Sequence, residues 1–210
     1  MDTIQFLEET AAKLDTFENR TKAYGAMMGL AEIYENGTDD VPMCWEKAFY
    51  WYEQAAHIGS KLECVNPAPA YAGVCRIIKN SSFNIKVGEQ FSIEEMLKQK
   101  HVYTHYIVVA CDPQTVNNLR MPEIAFMVGV VCKDLGLNAE LHQSREISHA
   151  EYYEIAAEYF HLGSEMTEIA GEDVRPMCAK ALRELQDRGY GIGYRPFIEF
   201  KPLPLGGNNL

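Results

Sequence analysis

One stretch of this chain returns, altered, in its second half. Ala48-Phe49-Tyr50-Trp51-Tyr52-Glu53-Gln54-Ala55-Ala56-His57-Ile58-Gly59-Ser60 is answered by Tyr152-Tyr153-Glu154-Ile155-Ala156-Ala157-Glu158-Tyr159-Phe160-His161-Leu162-Gly163-Ser164. Both close on His, an aliphatic residue, Gly and Ser. A run of small and apolar residues precedes each copy and leads to a glycine: Ala26 to Ala31 before Gly37, and Ala125 to Val130 before Gly136. A recurring helix–loop–helix unit cannot bury its apolar face alone, so its copies must stack and form a continuous core between them.

Periodicity fills in the rest. Ile4, Leu7, Ala11, Leu14 and Phe17 draw one stripe, predicting a helix over 3–17 that Asp2 or Thr3 caps. Further helices are expected over 22–36, ended by Asn36-Gly37, and over 45–58, ended by Gly59. Residues 70–79 read as a shorter helix. Ser92-Ile93-Glu94-Glu95 has the form of a capping box and starts another. That helix can run to Cys111, although 105–111 also fits a buried strand, and Phe83, Ile85 and Val87 alternate as in an extended piece. Pro113 marks a stop, and Pro122 suits the first turn of a helix over 122–135 closed by Gly136. The last two helices are expected over 148–162, closed by Gly163, and over 172–188, closed by Gly189. The fold class is therefore all-α: helix-turn-helix repeats stacked as a short α-solenoid over 1–189, followed by an extended Pro/Gly-rich tail over 190–210.

Leu30, Tyr34, Gly37, Lys47-Ala48, Trp51-Tyr52, Ala55-Ala56 and Gly59 together resemble the Sel-like repeat family, relatives of the tetratricopeptide repeats. In that pattern a leucine and a tyrosine precede a first glycine, and a loop leads to Lys-Ala, an aromatic pair, Ala-Ala and a closing glycine. The resemblance implies structural roles for Gly37, Ala48, Tyr52, Ala55, Ala56 and Gly59, and for Gly136 and Gly163 in the second copy. It also implies a right-handed stack whose concave face binds other proteins, with no catalytic residues carried over. The sequence departs from the pattern at Cys44, near where the family has an Asp. The second copy lacks Lys-Ala and Trp-Tyr in register, and 61–115 would be a divergent repeat.

Charge narrows the choice of partner. The net charge is -11, which repels phosphate backbones and anionic membranes, so neither direct nucleic-acid binding nor membrane binding is expected. Residues 1–60 hold eleven acids against four bases, a field that would draw in a basic surface. Acids near the first residues are unlike a secretory signal, and no apolar run approaches the ~20 residues of a membrane span. The six cysteines lack Cys-x-x-Cys spacing and read as reduced residues of a cytoplasmic protein.

Catalytic patterns are scarce. His101 and His105 share a helix face, yet lack the glutamate of the zinc-protease motif. His142 and His149 have only Glu146 between them as a ligand. His57 and His161 suit helix C-termini. Gly189-Tyr190-Gly191-Ile192-Gly193 lacks the strand before and helix after that a phosphate loop needs. The expectation is a protein with no catalytic residues, metal or cofactor. It would be an adaptor or scaffold that holds another protein or peptide in a helical groove. Tyr50, Trp51, Tyr152, Tyr153 and Tyr159 are the candidate contacts, since Tyr and Trp are enriched at binding hot spots. The rival expectation is an acidic decoy that covers a basic, nucleic-acid-binding surface of an enzyme. The sequence leaves the oligomeric state open.

Overall fold

The computed structural model describes residues 2–80 and 93–193. Among them the chain forms only helices: α1 (Thr3–Ala11), α2 (Phe17–Asn36), α3 (Trp45–Gly59), α4 (Ala68–Asn80), α5 (Ile93–Ala110), α6 (Pro113–Leu119), α7 (Pro122–Leu141), α8 (His149–Glu165) and α9 (Arg175–Gln186). Most helices pack on their neighbours in sequence, as in a solenoid.

The helices form two layers. In the first, α4 lies on α7 and α7 on α9, while Glu35 of α2 reaches Arg76 of α4. In the second, Phe49 of α3 packs on Tyr103 and Tyr106 of α5. Tyr159 of α8 donates its hydroxyl to the carbonyls of Val108 and Cys111 at the end of α5. The layers are joined where α2 meets α3, α3 meets α4, α7 meets α8 and α8 meets α9. The short α1 rests on α2, and α6 tucks against α7 and α8.

Local chemistry moves several boundaries. The stripe over 3–17 is broken: α1 ends at Ala11, and Leu14 and Phe17 are exposed. Asp15 and Thr16 cause the break. Thr16 Oγ1 accepts the backbone N–H of Asn19 and caps α2, while Asp15 accepts from the Asn19 amide. Such side-chain bonds compete with a continuing helix. The helix before Pro113 stops at Ala110, as expected, and Pro113 also starts a further helix, because Asp112 caps α6 through the N–H groups of Gln114 and Thr115. Residues 105–110 are helical. The alternating residues 83–87, the cap at Ser92 and the tail from 194 onward lie outside the described residues.

The glycines divide into two kinds. Gly37 ends α2 with φ of +71°, a conformation that favours glycine. Gly136 and Gly163, expected as helix stops, lie inside α7 and α8 instead. Their role is close approach. A Cβ at Gly136 would stand 3.0 Å from the Tyr153 ring. At Gly59 it would stand 2.8 Å from Tyr24 of α2 and 3.3 Å from Pro67 before α4. At Gly163 it would stand 2.6 Å from Cys178 of α9 and 3.1 Å from Ala125 of α7. Each of the last two is wedged between the first helix of its own pair and either the first helix of the next (Gly163) or the residue that leads into it (Gly59), so the two copies are built alike. Ala48, Tyr52, Ala55 and Ala56 are buried at the same seam. In the second copy Tyr159 and Phe160 stand where the first has Ala55 and Ala56. Gly129 of α7 makes the room, since a Cβ there would meet the Phe160 ring at 2.6 Å.

Candidate functional site

Two clasps lock the pairs together. In the first, the Tyr52 hydroxyl donates to Glu35 Oε2 at 2.7 Å, and Arg76 grips the same carboxylate with Nε and Nη2. Arg76 Nη2 also donates to the Tyr52 hydroxyl at 3.1 Å. Burial alone would raise the Glu35 carboxyl, but hydrogen bonds from Arg76 and Tyr52 and the Arg76 charge together hold it below its usual range. Burial, with Glu35 beside it, pushes the Tyr52 phenol up. In the second clasp, Tyr153 donates to Glu140 Oε2 at 2.7 Å and Arg188 to the same oxygen at 2.6 Å. The guanidinium lies 4.4 Å over the Tyr153 ring. Each clasp takes its glutamate from the C-terminal end of a first-layer helix, its tyrosine from the second layer, and its arginine from the next first-layer element or just beyond it.

Beside the first clasp a groove opens between α4 and α7. It holds about 260 Å³ and is lined by Ala72, Cys75, Arg76 and Lys79 of α4 and by Phe126, Met127 and Val130 of α7, among others. All of these come from the first layer. The three α7 residues are half-buried, whereas Arg76 and Lys79 are exposed. Phe126, Val130, Lys133 and Leu137 follow one stripe of α7 at i, i+4, i+7 and i+11. Lys133 on that stripe pairs with Glu184 of α9 at 2.6 Å. Beyond it, α9 offers a recess lined by Pro176, Met177, Lys180, Arg183, Glu184 and Asp187.

The aromatics singled out from the sequence fall elsewhere. Tyr50 is 50% exposed and Trp51 half-buried, their rings edge-to-face at 5.0 Å on α3 of the second layer. Tyr152, Tyr153 and Tyr159 are buried, and their hydroxyls are used within the chain: on His101 Nδ1 at 2.7 Å, on Glu140, and on the end of α5. The groove is lined by other residues, none of them among the candidate contacts. The available signal was a surplus: Ile124-Ala125-Phe126-Met127-Val128-Gly129-Val130-Val131-Cys132 is apolar on every side, more than one buried stripe requires.

The histidines do not converge. His101 and His105 stack at 6.4 Å, and among the described residues no three His, Cys, Asp or Glu side chains are grouped to hold a metal. All six cysteines are free thiols. Burial pushes Cys75 and Cys178 up to about 12, so they remain protonated at neutral pH. Among the described residues no helix is long and apolar enough to cross a membrane.

Comparison with known protein families, with curated proteins and with solved structures found no match. The fold and groove define a class: an all-helical protein of sequentially packed helices in two layers, with a basic-edged apolar groove on the first.

Proposed function

We propose that this protein is a non-catalytic, cytoplasmic adaptor of Sel-like repeat type that binds a protein or peptide in the groove along its first layer. The observation that carries the reading is the groove itself, where Phe126, Met127 and Val130 keep part of their apolar surface open beside Arg76 and Lys79. Stacked helix pairs curve and present extended concave surfaces for binding. An apolar cleft with a few placed polar groups is the usual form of a binding site. The test is affinity capture by the wild-type chain and by Val130→Glu, which sets a charge in the groove at a half-buried position. A partner retained at high salt and lost with Val130→Glu, while thermal unfolding stays that of a folded protein, supports the reading. Partners indifferent to Val130→Glu and to Met127→Glu overturn it.

A second reading has its own observation. Among the acids of residues 1–60, all but Glu35 and Glu53 are exposed, so the field is available to a basic enzyme surface. This acidic decoy would bind quickly, release its partner as salt rises, and ignore changes in the groove.

A further inference from the structure

We infer that the partner segment is acidic and carries apolar anchors, so that this acidic protein recognises its partner through the basic part of its surface. The inference rests on the groove-binding reading and adds the chemistry of what is bound.

Charge is distributed against the average of the chain. The net charge is -11. Yet the α4–α7 groove and the α9 recess bring five cations to one face: Arg76, Lys79, Lys133, Lys180 and Arg183. Facing them are Glu35, which the first clasp holds, Glu184, which pairs with Lys133, and Asp187. After these pairings Lys79, Lys180 and Arg183 are exposed and form no ion pair among the described residues.

Continuity follows from the helix register. Val130 and Lys133 share a stripe on α7, and Lys133 touches Glu184 of α9. Lys180 and Arg183 sit one turn before Glu184 and directly before it. A segment whose apolar side chain enters between Phe126, Met127 and Val130 therefore passes cations on both sides: Lys79 on α4, and Lys180 and Arg183 on α9. Five cations against Glu35, Glu184 and Asp187 leave the face positive, so a basic segment is disfavoured there and an acidic one favoured. The apolar floor distinguishes a peptide from a polyanion, because a phosphate backbone has nothing to bury against Met127 and Val130.

The experiment is selection of displayed random peptides on the immobilised full-length protein, repeated on Val130→Glu and on Lys79→Glu with Arg183→Glu. The charge-reversed positions are exposed and form no ion pair among the described residues, so the fold of those residues does not depend on them. Peptides enriched on the wild type and lost on Val130→Glu are expected to combine Asp or Glu with Leu, Met or Phe. The best of them is expected to bind the charge-reversed protein at least about tenfold more weakly at low salt, and the difference shrinks as salt rises. Neutral or basic groove-dependent peptides, or equal binding by the charge-reversed protein, overturn the inference and leave the groove reading standing. Enrichment that is the same on Val130→Glu and wild type overturns both. Groove-dependent binding of a single-stranded oligonucleotide, or self-association in sedimentation that Lys79→Glu abolishes, also overturns it. Those results would replace the acidic peptide with a nucleic acid or with a second copy of this chain.

Discussion

Single positions in this protein are decided by what a side chain would meet. Gly73 of α4 seats the Tyr52 ring so closely that a Cβ there would intrude on it. The ring cannot yield freely, because its hydroxyl is tied to Glu35 and Arg76. Gly73→Ala is therefore expected to destabilise by about 2–3 kcal/mol. Gly25 lies within α2, exposed, with nothing within 4 Å of an added Cβ. There the same substitution is expected to stabilise by about 0.5–1 kcal/mol. Urea unfolding of the two variants checks both signs. Glu123 is a second case. It is 6% exposed, its Oε2 has no partner among the described residues, and its Oε1 receives only a long bond of 3.4 Å from the Glu172 N–H. Burial raises its carboxyl above the usual range, and the Glu172 charge adds to this. A raised carboxyl favours the fold while protonated, and that contribution is lost as pH rises through the folded value. Glu123→Gln is thus expected to raise Tm at neutral pH, with the gain vanishing below about pH 4. An equal gain at both pH values in thermal melts would show that ionisation is not the cause.

At the level of helices, the sequence marked out most elements and misread their joints. Stripes, caps and prolines locate α3, α4, α8 and α9 to within a few residues, because each sits on a core that demands a 3.6-residue period; Pro122 marks the start of α7, whose expected end at 135 falls short of Leu141. Gly136 and Gly163 were taken for stops because a terminating glycine and a seat for a neighbouring helix have the same local sequence. Only the opposite ring or thiol tells them apart. Tyr153 and Tyr159 looked like contacts for the same reason: their partners, Glu140 and the end of α5, come from other helices. The groove was hidden because it needs α4 and α7 side by side, which no local pattern states. The packing of α5 on α7 gives a test at this scale. Lys100 of α5 is enclosed, with 4% of its side chain exposed, and its ammonium bonds Asp134 of α7 at 2.9 Å; Asp134 keeps 23% exposure. Asp134→Ala leaves a charge enclosed and unpaired and is expected to cost about 3–5 kcal/mol. Lys100→Met leaves a carboxylate that water still reaches and should cost less. Lys100→Met with Asp134→Leu should recover most of the loss. Denaturant midpoints that rank the single variants the other way would refute this account.

For the whole molecule, the consequence of a two-layer stack is that each helix depends on its immediate neighbours. Stability in such an array is close to a sum of unit terms and neighbour interfaces, so opening should start where interfaces are fewest. The array is not uniform in this respect. Helix α1 is short, rests on α2, and buries only Ala11 among its residues. Helix α7 touches α4, α5, α6, α8 and α9 and buries eleven residues. Helix α9 is the last described helix, but it lies on both α7 and α8 and buries five residues, and Arg188 just beyond it closes the second clasp. Amide hydrogen exchange is therefore expected to rank protection as α7 and α8 slowest, α9 and α3 intermediate, and α1 fastest, with α1 opening at a small fraction of the global free energy. Arg188→Ala should shift α9 toward the fast end while leaving α2 and α3 unchanged, because its clasp reaches only α7 and α8. If α1 and α7 exchange at one common rate, or if Arg188→Ala loosens α2 as much as α9, the protein unfolds as a single cooperative block. Helix pairs would then describe its shape without describing its energetics.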